Sequence, residues 1–363
     1  SGAFDGGTAY DISGNDSGQL PSGFVFIQRA NDQLKWEEAM QHNVGLDFGL
    51  FDNKFSGSVD YFIKKTKDIL ISPAYLAVIG DGGTKFANGA SVDNKGLELV
   101  LNYNTAIGQD WHIDISANVS AYRSKITELP DEVLTSYPGN GTDKTILGRS
   151  VSSMFGYVAD GLFTSEEEVE NSAEQPGKGL GRIRYKDLNN DHIINDLDRD
   201  YIGNSDPDFI YGINTAITYK RFDFNFFLQG IQGNSVYNTY KNLTDFSSLA
   251  PGANWGSRTL DAWTPQHPLS TIPALTTVDR NNEGRSSTYY IESGSYLKLR
   301  NIQLGYDLKN ALQSLHVQQA RIFLQASNLL LVKSKSYHAP DPENPGNAFP
   351  IPLMTTVGVN LSF

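Results

Sequence analysis

Hydrophobic and polar residues alternate with a period of two along most of this chain. The last stretch is the clearest case: Val357, Val359, Leu361 and Phe363 alternate with Thr356, Gly358, Asn360 and Ser362. Such a period places successive side chains on opposite faces of a strand. In a soluble sandwich the two faces would meet core and water, whereas in a transmembrane barrel they meet lipid and lumen. A strand that runs to an aromatic carboxyl end without a polar tail is the form expected of a barrel's closing strand.

The same alternation predicts eight earlier strands. The first covers Trp36 to Leu50, with Val44, Leu46, Phe48 and Leu50 on one face, and Asp52-Asn53-Lys54 turns it. The second carries Val59, Tyr61 and Ile63, and the third Leu97, Leu99, Leu101 and Tyr103. Gly108-Gln109-Asp110 turns the third into a fourth, where Trp111, Ile113, Ile115, Ala117 and Val119 alternate with polar residues. Tyr211, Ile213, Ile217 and Tyr219 mark a fifth, joined by Lys220-Arg221 to a sixth with Phe222, Phe224, Phe226 and Leu228. Ile302, Leu304 and Tyr306 define a seventh, and Ile322 and Leu324 an eighth.

Connection lengths alternate as well. Strands one, three and five are followed by short links and strand seven by a moderate one, Asp307 to Gln318; long segments follow the even-numbered strands. Ile126 to Asp206 and Gly233 to Ser293 far exceed the ~12–15 residues of the longest ordinary loops. Short turns on one rim and long excursions on the other are the layout of outer-membrane barrels, with the long loops outside. A soluble sandwich has no reason to sort its loops in this way. Nine strands do not close a bacterial barrel, since these have even strand numbers. Ser1 to Lys35, Gly-rich and irregular, reads as the second half of another extracellular loop, so the chain is expected to start part-way through a larger architecture.

Composition is compatible with this and narrows the function. A mean hydropathy of -0.36 suits a barrel, which needs only alternate residues apolar. No apolar run reaches the ~18 residues of a helical span. Beginning Ser1-Gly2-Ala3, the sequence shows no signal peptide and is expected to be a mature or partial chain. Zero cysteines remove disulfides and thiolate metal sites. A net charge of -12 with no basic cluster argues against nucleic acid. Eighteen Tyr and nineteen Phe against three Met point to β structure.

Several segments stand in a telling order, beginning with Leu34-Lys35-Trp36-Glu37, Asn43-Val44-Gly45-Leu46-Asp47-Phe48-Gly49, Gly57-Ser58-Val59-Asp60-Tyr61-Phe62 and Lys64-Lys65-Thr66-Lys67-Asp68. Asn94-Lys95-Gly96-Leu97-Glu98-Leu99, Asp261-Ala262-Trp263-Thr264-Pro265, Ser295 to Tyr306, Ser327-Asn328-Leu329 and Phe363 follow. Their succession resembles the carboxy-terminal barrel region of SusC/RagA-type TonB-dependent transporters. The resemblance implies an all-β, antiparallel transmembrane barrel of about 22 strands, of which this chain supplies about nine, with long extracellular loops. Residues 1–35 would be an extracellular loop segment and 36–363 the carboxy-terminal part of the barrel. It implies import of glycan oligomers or peptides across the outer membrane of a Gram-negative, Bacteroidetes-like bacterium. A SusD-like surface lipoprotein would cap the barrel, and the TonB complex would act through a plug. The plug and the amino-terminal domains are absent from these residues, so the remaining barrel and plug polypeptide would be a further partner if separate.

One acidic loop carries chemistry of its own. Asp187, Asn189, Asp191, Asn195 and Asp198 occupy positions 1, 3, 5, 9 and 12 of a twelve-residue segment, the spacing of an EF-hand-like Ca²⁺ loop. Asp187, Asn189 and Asp191 would coordinate directly, Ile193 through its carbonyl and Asp198 as the closing carboxylate. His192 stands where Gly normally turns the loop, and Asp198 where Glu is usual; His enters the left-handed region more readily than most residues. The alternative is an Asx-rich turn held by its own hydrogen bonds.

Tyr237, Tyr240, Phe246, Trp255 and Trp263 cluster in the long segment after the sixth strand and are candidates for ligand or lid contact. For any single one, packing of the loop's own small core is the stronger expectation. Trp111, Tyr103, Tyr219, Phe222 and Tyr306 fall at short-turn strand ends, where an interfacial girdle is expected. Glu166-Glu167-Glu168 after Thr164-Ser165 reads as a capped helix start. No HExxH pair or Gly-x-Ser-x-Gly elbow occurs, and no catalytic residue is assigned. The rival readings are a soluble β-sandwich carbohydrate-binding module, which would bury Leu99 and Ile113, and a glycan-degrading enzyme, which would need converging carboxylates.

Overall fold

A computed structural model describes residues 3–9, 22–28, 31–71, 86–130, 144–249, 252, 254–308, 317–346, 349 and 351–362. The first strands are β1 (Ala3–Ala9), β2 (Ser22–Gln28), β3 (Glu38–Leu50), β4 (Phe55–Ile71), β5 (Ala87–Ile107) and β6 (Trp111–Glu128). There follow β7 (Ser153–Tyr157), β8 (Ala159–Leu162), helix α1 (Glu166–Asn171), β9 (Ile183–Tyr185) and β10 (Arg199–Asn204). Then come β11 (Phe209–Tyr219), β12 (Phe222–Gln232), β13 (Ser235–Tyr237), helix α2 (Lys241–Thr244) and β14 (Ile291–Ser293). The chain closes with β15 (Tyr296–Asp307), β16 (Gln319–Lys333) and β17 (Met354–Ser362). Among the described residues no helix is long and apolar enough to cross a membrane.

Nine strands join in one sheet in the order β3-β4-β5-β6-β11-β12-β15-β16-β17. Among the described residues it is a meander interrupted by the excursions that hold β7–β10 and β13–β14. Each strand expected from the alternation is present in it. Several run farther than the apolar rows suggest: β4 continues to Ile71, and β5 begins at Ala87, ten residues before Leu97. Those extensions carry no period-two hydrophobicity and are not legible as strand. β3, by contrast, begins at Glu38, so Trp36 lies outside it and is almost fully exposed. The expectation that residues 1–35 are irregular needs correction, because β1 and β2 pair antiparallel; the run Phe24-Val25-Phe26-Ile27 has high strand propensity. Phe363 and residues 309–316 of the moderate link lie outside the described residues.

The register explains why the alternation matters. Val359, Ile322, Tyr306, Phe222, Tyr219 and Trp111 stand in one cross-strand row over six strands. Two residues deeper, Val357, Leu324, Leu304, Phe224, Ile217 and Ile113 form the next. A slip of one residue in any strand would send its apolar set to the other face. Rings pack along the first row, Trp111 on Tyr219 at 4.2 Å and Phe222 on Tyr306 at 4.7 Å between centroids. Leu304, Ile322, Leu324, Val357 and Val359 are exposed on this face. Leu99 and Ile113 are half-exposed, where a sandwich core would bury them.

The chain divides into two compact units. One comprises Ser1–His42, Ile63–Lys95 and Ser124–Val151, the other Asn43–Phe62, Gly96–Arg123 and Ser152–Phe363. In the first, the Asn88 amide substitutes for a strand partner: its Oδ1 accepts from Lys35 N at 2.8 Å while its Nδ2 donates to the carbonyls of Lys35 and Asp68 at 2.9 and 2.6 Å. In the second, the excursions are folded. β7 pairs with β10, β8 with β9 and β13 with β14. Leu162, Ile183, Tyr185, Ile194, Phe246, Trp263 and Tyr290 form a buried core between them. Gly181, at φ +71°, lets the backbone pass against the Trp263 ring. Helix α1 starts where expected: Ser165 Oγ accepts from Glu168 N at 3.2 Å, and three glutamates sit at the positive helix end.

Candidate functional site

The acidic loop closes on itself. Asp187, Asp191 and Asp198 each present a carboxylate oxygen within 4.8 Å of the others. Oxygens ligating one Ca²⁺ at about 2.3–2.6 Å can stand up to about 5.2 Å apart, so the three fit one ion. Asp198 is fully buried, and its two oxygens accept from Leu188 N and Asn195 N, both at 2.8 Å. Asp187 accepts from Asn190 N at 2.7 Å and His192 N at 2.8 Å. His192 takes φ +65°, the left-handed turn that Gly usually supplies at this position. The hydrogen bond from the Asn189 amide, with that from Ile193 N, holds the exposed Asp191 carboxyl below its ordinary range. The local hydrogen bonds also meet the Asx-turn alternative.

The five aromatic candidates separate. Phe246 and Trp263 are buried core residues, which leaves them no surface for a ligand or lid. Tyr237 is packed against that core, stacked on Tyr290 at 5.3 Å with the planes 16° apart. Tyr240 packs on a second small cluster of Val236, Tyr337 and Ala339. Only Trp255 of the five is exposed, at 57%.

Sequence reasoning missed a cavity of about 690 Å³ where β12 and β15 leave the sheet. Its rim holds Gln232, Gly233, Ser293 and Ser295, and its charged wall Lys241, Arg258, Glu292 and His338. Two buried ion pairs build that wall. Arg258 grips Asp245 in a fork at 2.6 and 3.1 Å, and Lys241 Nζ lies 3.0 Å from Glu292 Oε1. Tyr289 links them: its hydroxyl donates to Asp245 at 2.6 Å, its carbonyl accepts from Lys241, and its ring lies 4.4 Å beneath the Lys241 ammonium. His338 Nδ1 meets Glu292 Oε1 at 2.6 Å.

Burial pushes the Asp245 carboxyl up, but hydrogen bonds from Arg258 and Tyr289 and the Arg258 charge more than offset it and hold the group below its ordinary range. Glu292 behaves likewise, with burial opposed by the His338 backbone N–H and the Lys241 charge. Burial pushes the phenol of Tyr289 well up. These residues are spread between positions 241 and 338 without any local spacing, so no sequence motif could have found them.

Similarity to known proteins agrees with the architecture. The family profile described as "TonB dependent receptor-like, beta-barrel" matches residues 2–329. TonB-dependent receptor P26 of Formosa agariphila is 28% identical over 371 residues, covering 96% of this chain and 37% of the relative. TonB-dependent receptor P3 of the same organism is 32% identical, covering 90% and 32%. SusC of Bacteroides thetaiotaomicron is 24% identical, covering 97% and 35%. The RagAB peptide transporter superposes with a TM-score of 0.79 at 23% identity, over all of this chain and 38% of that one. The chain thus spans about a third of the length of the relatives it matches. It belongs to the TonB-dependent receptor-like β-barrel family, as a SusC-like barrel region.

Proposed function

We propose that this chain is the barrel part of an outer-membrane, TonB-dependent importer of large nutrients, glycan oligomers or peptides, in a Gram-negative bacterium of the Bacteroidetes type. The observation that carries the reading is the nine-stranded sheet with apolar rows on one face and long folded excursions after β6 and β12. Its edge strands β3 and β17 have one neighbour each within the sheet. In lipid an open edge would leave backbone groups without partners, so the remaining strands of the protein complete a barrel of about 22. The row from Trp111 to Val359 then forms the girdle at the short-turn interface.

A SusD-like lipoprotein covers the long-loop side in this reading, and the TonB complex acts through the plug-bearing part of the protein. Exposed Trp255 is the aromatic that remains available to lid or ligand. The acidic loop takes Ca²⁺ through Asp187, Asn189, Asp191, the Ile193 carbonyl and Asp198, clipping a long external loop without a part in transport chemistry. The test is purification from outer membranes in mild detergent with identification of co-purifying chains. A plug-bearing polypeptide and a lipoprotein partner are expected. Recovery of a monodisperse protein from the soluble fraction would overturn the reading.

A further inference from the structure

We infer that the cavity beside β12 and β15 binds an acidic saccharide unit, a sugar ring bearing a carboxylate or sulfate, through Arg258, Lys241 and His338. This deepens the import reading and rests on it. The argument is a count of hydrogen-bonding capacity. Each oxygen of Asp245 already accepts twice, Oδ1 from Arg258 Nε at 2.6 Å and Thr244 Oγ1 at 2.9 Å, Oδ2 from Arg258 Nη2 at 3.1 Å and Tyr289 at 2.6 Å. Glu292 Oε1 faces Lys241 at 3.0 Å and His338 Nδ1 at 2.6 Å, and its Oε2 accepts from Asn238 at 2.7 Å and His338 N at 3.0 Å. A carboxylate offers about four acceptor sites, so both are saturated.

The cations are not. Arg258 spends one edge of its guanidinium on Asp245, and Lys241 two of its directions on Glu292 and the Tyr289 carbonyl. Among the described residues Arg258 Nη1 and His338 Nε2 have no partner. What the ionic wall offers the cavity is therefore the unspent donors of Arg258 and Lys241, joined by His338 Nε2–H when the imidazole is protonated, the arrangement that recognises an anionic oxygen group. The remaining polar lining consists largely of hydroxyls, with Ser235, Ser270, Thr271, Ser293, Ser295 and Ser336. Among the described residues the Ser235 and Thr271 hydroxyls make no hydrogen bond, and hydroxyls free to donate and accept match those of a sugar ring. A volume of about 690 Å³ lies within the range of small-ligand sites.

The test is calorimetric titration of the intact detergent-solubilised transporter with glucuronate, glucose 6-sulfate, glucose and the dipeptide Glu-Glu. Glucuronate or the sulfate is expected to bind about tenfold or more tighter than glucose, and to weaken as salt rises; the two arms distinguish carboxylate from sulfate. Arg258→Lys keeps a cation for Asp245 but loses the second guanidinium edge. His338→Asn keeps a donor toward Glu292 and loses Nε2. Each is expected to weaken the acidic sugar at least about fivefold while the protein stays folded and its affinity for glucose is unaltered; Arg258→Lys, which gives up the fork on buried Asp245, is also expected to lower the unfolding temperature. Equal binding of glucose, tighter binding of the dipeptide, or folded variants with unaltered affinity would each overturn the inference. TonB-dependent uptake of a neutral ligand would do so while leaving the importer reading intact. A soluble protein that binds glucuronate through Arg258 would do the reverse.

Discussion

Arg321 reaches across Gly305 to Asp223. Its Nε lies 2.9 Å from Asp223 Oδ1, and the pair spans three adjacent strands, β16, β15 and β12. Gln303 Oε1 accepts from the same guanidinium at 3.2 Å. The bridge crosses β15 because residue 305 has no side chain: a Cβ there would meet Asp223 Oδ1 and the Arg321 guanidinium. Gly305→Val should separate the pair and lower stability by about 1–3 kcal/mol. Thermal unfolding in detergent measures this, and an unchanged midpoint would show that the charges simply move aside.

Calcium should stabilise the excursion between β6 and β11 if the acidic loop holds it. At a hundredfold excess over Kd the gain is about 2.7 kcal/mol, readable as a rise in unfolding temperature that a chelator reverses. Asp191→Asn removes one ligand oxygen, so it should abolish the calcium-induced rise, while losing part of the bonding to the Asn189 amide and Ile193 N should move the calcium-free midpoint much less than that rise. A wild-type protein indifferent to millimolar Ca²⁺ would leave the Asx-turn alternative in place.

Trp263 and Trp255 should behave oppositely. Trp263→Ala empties a core position against Gly181 and should cost about 3–5 kcal/mol. Trp255→Ala should leave stability within about 0.5 kcal/mol and weaken binding of the lid protein or ligand. Denaturation and co-purification on the two variants separate these outcomes.

Acid should loosen the external loops before the sheet. Burial raises the carboxyls of Asp245, Glu292 and Glu343, but hydrogen bonds and nearby cations more than compensate, leaving all three below their ordinary values. A depressed folded-state pKa gives stability that is complete above the unfolded value, about 4, and lost as pH falls through the folded one. Glu283 runs the other way, since burial outweighs Arg182 and raises it; its contribution is complete below about 4.3 and lost as pH rises through the folded value. Three groups against one predicts lower amide protection, relative to the intrinsic exchange rate at each pH, around 241–249, 254–258, 292 and 341–343 below pH 4. Protection factors that stay constant over pH 3–7 would contradict it.

The period-two pattern by itself determined where the nine strands of the sheet lie and which face their apolar rows take, because a pleated strand admits only two faces, though not how far β4 and β5 extend. Loop lengths determined which rim carries the excursions. Local chemistry was also readable: Ser165 caps α1 and His192 adopts the left-handed turn, since both depend on residues within a few positions of each other. Tertiary structure alone decided what the long segments do. In the sequence Phe246 and Trp263 are candidates for ligand or lid contact with loop-core packing the stronger expectation, and only their packing with Leu162, Ile183, Tyr185 and Tyr290 decides that they are core. The wall of Lys241, Arg258, Glu292 and His338 is likewise invisible in sequence. Its members are distant along the chain, and burial, not spacing, forces each charge to find its partner.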